Sequence, residues 1–242
     1  MYIFEKFAWF SIMIVCMFSC SPVANHCVVG EYLVEEAYVA KFKNDVPFAV
    51  SLVFDDNDIA HFEKIYPILK KWNLVATFNV SPGYQDFEST YKEGYSNLKN
   101  IGCEIGAHGW YHLDLTTLNP NDVELHMCKK PIELIQRYFN TTPVSISLNN
   151  AQTNKQIDDL FRKYFFVSKH ASLTNVDRSG IPILSSTTFD DVKNKLDDAK
   201  QTKKWCIIAL HGVDGSGWSN GSIESSLFEK ICELLVEKKN LG

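Results

Sequence analysis

This chain of 242 residues lacks the features of several protein classes. It has no internal repeat, no low-complexity tract and no basic stripe, and its formal net charge is −5. A nucleic-acid-binding surface needs clustered Lys and Arg to neutralise phosphates, so the sequence predicts no nucleic-acid partner. Short basic pairs such as Lys129-Lys130 are typical of a solvated face instead.

Cysteine spacing excludes two further classes. The chain has seven cysteines and no Cys-x-x-Cys pair, which argues against a zinc knuckle and against a disulfide scaffold. Cys103 and Cys206 lie in apolar runs and are predicted to pack in the core. The cysteine positions are 16, 20, 27, 103, 128, 206 and 232.

The N-terminal apolar stretch is too short to be a membrane span. Residues 7–18 supply about 12 nearly continuous apolar residues, whereas a bilayer needs about 20. The pattern fits a secretory signal, and Met17-Phe18-Ser19-Cys20 resembles a bacterial lipoprotein cleavage box. We therefore predict a signal peptide at 1–19, a lipid anchor on Cys20 and location in the cell envelope. Cleaved secretion without a lipid and an uncleaved anchor are the alternatives.

Apolar periodicity predicts an α/β protein. Predicted strands alternate with predicted helices, which indicates a mainly parallel sheet. We expect a lead-in segment at 20–45 and one domain at 46–242, long enough to bury a substantial core. The predicted strands are 48–54, 75–80, 103–107, 144–148, 164–168 and 205–210. The predicted helices are 59–72, 91–99, 120–139, 154–163, 189–202 and 223–239.

Metal-binding residue types follow three of the predicted strands. Asp55 and Asp56 follow the first, His108 and His112 the third, and His211 the last. The two histidines are four residues apart, so on a helical turn they would share one face and bind one ion. Adjacent carboxylates cannot ligate in the same geometry, so one can bind the ion while the other accepts a proton. This inventory suits metal-assisted hydrolysis. A lone histidine such as His61 is expected on the surface or on a helix face.

The order and flanks of these residues resemble the polysaccharide deacetylase family, also called the NodB-homology domain or carbohydrate esterase family 4. Residues 51–56, 102–118 and 207–212 carry the resemblance, which extends over roughly residues 46 to 236. It implies a deformed (β/α)7 barrel. Because family members often continue with another strand after the last helix, we expect this chain to lack its last strand.

The resemblance also implies a role for each matched residue. Asp55 would be the general base and His211 the general acid. Asp56, His108 and His112 would hold a divalent metal, with Zn²⁺ expected and Co²⁺ or Ni²⁺ as alternatives. The reaction would remove an acetyl group from an amino sugar or from a sugar hydroxyl of a glycan.

Two residues beside the predicted acid are candidates for substrate binding. By resemblance, Leu210 would line the acetyl pocket. Trp218 lies in a Gly-rich loop after His211 and could stack on a sugar face. The alternative for Trp218 is a loop aromatic that packs on the rim of the site.

Two departures from the family pattern bear on activity. Asn57 stands where the family has Gly, and because Asn tolerates a left-handed backbone we expect the turn to survive. The third motif, expected near 145–153, contains no Arg, Pro or Gly, although the family's Arg there orients the base. Arg178 is a candidate substitute, and Asp177 is a candidate for the family's fourth motif. An impaired relative that binds glycan, and a metallohydrolase of another class, are the alternative functions.

Overall fold

The computed structural model describes residues 27–29, 32–34, 42, 46, 48–151, 154–168 and 178–240. The predicted signal peptide, Cys20 and Asp177 lie outside these residues, as does most of the lead-in segment. The chain divides into two compact units at residues 1–44 and 45–242. In the first unit, strand β1 (Cys27–Val29) pairs antiparallel with β2 (Tyr32–Val34).

The second unit contains a seven-stranded parallel sheet. Its strand order is β7-β6-β5-β4-β3-β9-β8, and every neighbouring pair is parallel. The sheet curls into a deformed (β/α)7 barrel, as predicted. The strands are β3 (Ala49–Asp55), β4 (Thr77–Val80), β5 (Glu104–Ala107), β6 (Ser145–Ile146), β7 (Val167–Ser168), β8 (Arg178–Pro182) and β9 (Trp205–Leu210).

Helices lie between the strands and after β9, close to their predicted positions. Three of them are preceded by π-helical turns, which the periodicity did not predict. The helices are α1 (Tyr66–Trp72), α2 (Lys92–Asn100), α3 (Pro120–Val123), α4 (Lys130–Phe139), α5 (Lys155–Phe161), α6 (Phe189–Gln201) and α7 (Ser225–Asn240). The π-helical turns are His61–Ile65, Phe87–Tyr91 and Glu124–Lys129, before α1, α2 and α4. Among the described helices, none has the length and apolar character needed to cross a membrane.

Strand β8 was not predicted from the sequence. It contains Gly180 and Pro182, which ordinarily mark turns, but β8 lies at one end of the sheet order, where Pro is tolerated. Arg178 pairs with Trp205 at the amino end of β9, about 16 Å along that strand from its carboxyl end. The backbone of Arg178 therefore lies far from the carboxyl end of β3, and its register does not support Arg178 as the substitute arginine.

The apolar core ends directly beneath the polar strand ends. Phe54 is fully buried, stacks on Phe78 with ring centroids 5.0 Å apart and meets Phe228 edge-on. Cys103 and Cys206 are buried free thiols, which confirms their prediction as core residues. This packing fixes Phe54, the residue that immediately precedes Asp55.

Candidate active site

The strand register brings the predicted base and acid together. Phe54 of β3 pairs with Leu210 of β9, so Asp55 and His211 follow neighbouring positions at one edge of the sheet. His211 Nε2 lies 3.9 Å from Asp55 Oδ2. This distance is too long for a hydrogen bond, yet it lets both groups reach the same small reacting group.

Three potential metal ligands converge beside this pair. One ligand atom from each of Asp56, His108 and His112 lies within 4.8 Å of the other two. His108 Nε2 is 3.3 Å from Asp56 Oδ1, and the two imidazole centroids are 5.4 Å apart. The structure thus brings together all three residues that the sequence proposed as ligands.

The two histidines do not share a helical turn, so that part of the prediction was wrong. Residues 108–114 form an irregular loop after β5. Gly109 has φ +82°, a conformation that side-chain-bearing residues rarely adopt, and it turns the backbone between the histidines. A Cβ at Gly109 would also lie 2.7 Å from Met127 Sδ. The loop, rather than a helix, therefore directs both imidazoles to one point.

The left-handed residue in the turn after β3 is Asp56, with φ 70°, and not Asn57 as we expected. Aspartate is among the residues that tolerate this conformation. Asn57 instead connects two loops through its side chain. Its Nδ2 donates to the Ser81 carbonyl at 2.8 Å, and its Oδ1 accepts from the Ser81 N–H at 3.1 Å. The departure from Gly therefore has a structural role.

His108 is oriented by a backbone carbonyl. Its Nδ1 lies 2.9 Å from the carbonyl oxygen of Ser147, and because a carbonyl only accepts, Nδ1 carries a proton. The other ring nitrogen, Nε2, is thereby directed at Asp56. A hydrogen bond of this kind on the far nitrogen of an imidazole is typical of histidine metal ligands.

His108 and Asp56 shift each other's ionisation. Burial by itself would lower the pKa of His108, but the hydrogen bond to Asp56 and the nearby carboxylates raise it above its usual value. Burial by itself would raise the pKa of Asp56, but the hydrogen bond and charge of His108 hold it below its usual value. Both directions favour an ion pair, which a metal would have to replace by displacing the Nε2 proton.

His61 is fully buried at the start of a π-helical turn, so the surface reading of this residue was wrong and the helix-face reading holds. Its Nε2 lies 2.8 Å from the carbonyl oxygen of His211, and its Nδ1 lies 3.1 Å from the Tyr95 hydroxyl. That hydroxyl is also 3.2 Å from the carbonyl oxygen of Asp56. Burial lowers the pKa of His61 and favours the neutral ring. His61 and Tyr95 therefore connect the backbones of the loops after β3 and β9.

The Asp55 carboxylate accepts hydrogen bonds from residues that the sequence did not single out. Ser147 Oγ donates to Oδ2 at 2.7 Å, and Asn79 Nδ2 donates to Oδ1 at 2.9 Å. Asn79 could have been noticed as a polar residue inside an apolar strand. Ser147 lies in the segment where an arginine was expected.

Leu210 and Trp218 occupy different environments. Leu210 is fully buried as the last residue of β9. Trp218 is 51% exposed, and its ring lies edge-on to the His211 imidazole with centroids 5.2 Å apart. A Cβ at Gly221 would lie 2.4 Å from the indole, so that glycine makes room for it.

A cleft of about 330 Å³ opens beside the three potential ligands. Asp56 and His112 lie on its lining together with Tyr84 and Tyr91. Tyr84 packs edge-on against Tyr111, with ring centroids 5.2 Å apart. The cleft therefore combines polar ligand atoms with aromatic rings.

A family model described as Polysaccharide deacetylase matches residues 43–166, slightly more than half of the chain. The chain belongs to the polysaccharide deacetylase family. This match confirms the resemblance and covers Asp55, Asp56, His108 and His112, while His211 lies outside the matched range. For this family member, the two departures noted in the sequence are thus variations within the family.

Two curated proteins and one solved structure illustrate the similarity of this polysaccharide deacetylase family member to known proteins. A bifunctional xylanase/deacetylase from Pseudobutyrivibrio xylanivorans is 23% identical over 188 residues, which cover 74% of this chain and 30% of that protein. A peptidoglycan deacetylase from Helicobacter pylori is 25% identical over 154 residues, which cover 62% of this chain and 48% of that protein. The chain therefore spans less than half the length of either relative.

The solved structure is a family 4 acetyl xylan esterase from Clostridium thermocellum in complex with a cobalt ion. It matches with a TM-score of 0.57 at 21% identity, covering 78% of this chain and 84% of that one. At this identity the likeness shows the fold alone.

Proposed function

We propose that this protein is a metal-dependent hydrolase that removes acetyl groups from a glycan. The observation that carries the proposal is the juxtaposition of two groups of residues. A carboxylate and an imidazole suited to proton transfer lie 3.9 Å apart, beside three ligand atoms within 4.8 Å of one another. A protein that only bound glycan would need neither Asp55 nor His211 in this arrangement.

The three potential ligands suit a divalent transition metal. One carboxylate and two imidazoles form a mixed oxygen and nitrogen set, and three protein ligands leave an open position. Zn²⁺ fits this set, and Co²⁺ or Ni²⁺ are alternatives. When bound, such an ion polarises an acetyl carbonyl and lowers the pKa of water.

The residues of this chain supply the proton transfers. Asp55, held by two hydrogen bonds, accepts the proton of the attacking water. His211 donates a proton from Nε2 to the departing amine or alkoxide. The hydrogen bond from His61 Nε2 to the His211 carbonyl fixes the backbone from which the acid extends.

The substrate is proposed to be an acetylated polysaccharide. The relatives named above act, by their names, on xylan or on peptidoglycan, and both are acetylated polymers of pyranose sugars. Exposed aromatic rings can pack on sugar faces, and Trp218 and Tyr84 lie at the site with exposed fractions of 51% and 43%. Leu210 is fully buried, and we propose that it lies directly behind the apolar surface that meets the acetyl methyl group.

The sequence of residues 7–20 supports a location in the bacterial cell envelope. We infer export, removal of residues 1–19 and a lipid anchor on Cys20, followed by a lead-in segment and the deacetylase domain at 46–242. Mass spectrometry of the protein from the membrane fraction should then find Cys20 as the first residue, with a lipid attached. An unmodified Cys20, or a chain that keeps residues 1–19, would contradict the lipid anchor.

The function is tested by acetate release. Metal-stripped protein is assayed on acetylated xylan, chitin oligomers and peptidoglycan, with and without added Zn²⁺, beside an Asp56→Ala variant. We expect release that requires the metal and that is lost in the variant. A folded, metal-loaded protein that releases no acetate from any of these substrates would contradict the proposal.

A further inference from the structure

The carboxylate of Asp55 is enclosed by polar side chains. Its side chain is only 2% exposed, and both oxygens accept hydrogen bonds, from Ser147 at 2.7 Å and from Asn79 at 2.9 Å. A buried carboxylate without such donors would be costly, so these bonds stabilise its ionised form. They also restrict its rotation, because one donor holds each oxygen.

One row across the sheet, the polar row, contains Asp55, Asn79, Gly106 and Ser145. Asp55 of β3 pairs with Asn79 of β4, and Asn79 pairs with Gly106 of β5. The next pair along, Ala107 with Ile146, places Ser145 of β6 beside Gly106. Side chains in one row of a sheet project from the same face. The register of strands β3, β4, β5 and β6 therefore brings these polar side chains together.

Gly106 has no side chain, and this lets the side chains of Asn79 and Ser145 meet across β5. A Cβ at this position would lie 2.1 Å from Asn79 Oδ1 and 2.4 Å from Ser145 Oγ. Without it, Ser145 Oγ donates to Asn79 Oδ1 at 3.3 Å across β5. Because this bond occupies the amide oxygen of Asn79, its Nδ2 is turned toward Asp55. The amide orientation is thus fixed from both sides.

Ser147 joins the base to a proposed metal ligand. Its hydroxyl donates to Asp55, while its carbonyl accepts from His108 Nδ1 at 2.9 Å. Its own N–H donates to the Ala107 carbonyl at 2.9 Å, which ties the residue to the end of β5. One residue therefore sets the distance between the two halves of the site.

We propose that Ser147 and Asn79 are the positioning residues of the Asp55 base, with Ser145 and Gly106 fixing the amide of Asn79. The segment that contains Ser147 is the one in which the family resemblance led us to expect an orienting arginine. This chain supplies a hydroxyl from that segment and an amide from β4. The inference rests on the proposed function, since it assigns these residues to the same proton transfer.

The substitution that isolates this role is Ser147→Ala. It removes the hydroxyl but leaves the carbonyl that orients His108. We expect kcat for acetate release to fall on the order of ten- to hundredfold, the effect of losing one hydrogen bond to a charged group. KM and Zn²⁺ affinity should stay within about twofold, since neither depends on the hydroxyl. Ser147→Thr should recover most of kcat.

The matched control is Ser51→Ala, in the same strand as the base. Ser51 Oγ accepts from Trp205 Nε1 at 3.0 Å, at the other end of β3. This variant loses one side-chain hydrogen bond without touching the Asp55 carboxylate. If Ser147→Ala behaves like Ser51→Ala in kcat, or if it loses Zn²⁺ affinity in parallel with kcat, the positioning role is wrong.

A crystallographic comparison separates this inference from the proposed function. If wild-type protein releases no acetate, the proposed function fails, and crystal structures of wild type and Ser147→Ala then decide the positioning role. A single Asp55 rotamer in wild type that shifts or splits in the variant would support it. An unchanged Asp55 rotamer in the variant would overturn it.

Discussion

The neighbouring carboxylates Asp55 and Asp56 occupy opposite environments. The side chain of Asp55 is 2% exposed and held by side chains from β4 and the segment after β6, whereas that of Asp56 is 38% exposed on a left-handed turn. Because Asp56 has a positive φ, its side chain points in a different direction from that of Asp55. Two identical residues in sequence can thus be suited to different tasks, a rigidly held base and a ligand accessible to an ion.

The sharpest test of this comparison is Asp55→Asn. The amide keeps the size of the side chain but cannot accept a proton, so we expect kcat to fall by about 10²- to 10⁴-fold. Zn²⁺ affinity, measured by calorimetry, should change little because Asp55 is not among the proposed ligands. A large loss of Zn²⁺ affinity in this variant would mean that Asp55 binds the metal as well as Asp56, and would contradict the separate roles.

The reciprocal test removes a ligand with His108→Ala. We expect Zn²⁺ affinity to fall by more than about 100-fold, because the loss of a ligand should exceed the 10- to 100-fold effect of losing a group that supports one. His126→Ala is the control, since His126 is partly buried but is not part of the three-residue cluster. Equal affinities of the two variants would contradict the assignment of His108.

Competition between protons and Zn²⁺ for Nε2 of His108 should give a smaller change in Zn²⁺ affinity. His108 must lose its Nε2 proton to bind a metal, and Asp56 raises the pKa of His108 above its usual value. Below that raised pKa, Zn²⁺ affinity should fall about tenfold for each pH unit, and above it the affinity should level off. Because the pKa of Asp56 is lowered, this carboxylate stays ionised over the same range. Calorimetry at several pH values would show the slope, and a flat profile through the region would contradict it.

The last test measures the effect of Gly106→Ala on stability. The added methyl group must displace the Asn79 amide and the Ser145 hydroxyl, which should cost about 1–3 kcal/mol in the free energy of unfolding. Gly180→Ala is a matched control on β8, because no atom lies within 4 Å of the position that its Cβ would take. Denaturant unfolding would compare the free energies of unfolding of the two variants. Equal values would show that Asn79 and Ser145 can move aside without loss of stability.

Residues that follow a strand could be predicted from the sequence. The positions of Asp55, His108 and His211 depend mainly on where apolar runs end, and parallel strands then bring those ends together. The same argument predicted the α/β class and most of the strands. It failed for β8, because Gly180 and Pro182 are typical of turns although an edge strand tolerates them.

Residues that depend on register could not be predicted in this way. Asn79 and Ser147 reach Asp55 only because four strands pair in a particular alignment, and no local pattern encodes that alignment. His61 is likewise separated from its partner His211 by 150 positions in sequence. A lone histidine on an apolar helical stripe carries no signal of such a contact.

The space above Gly106, which the Asn79 amide and the Ser145 hydroxyl fill, has a consequence for protein engineering. Transplanting Asn79 and Ser147 into a relative that carries a larger residue at the equivalent of position 106 would bring the donors without room for the amide. The transplant must include the glycine and the serine at 145, so the four positions form a module that is exchanged as a whole. Stepwise exchange would pass through intermediates with a misplaced base.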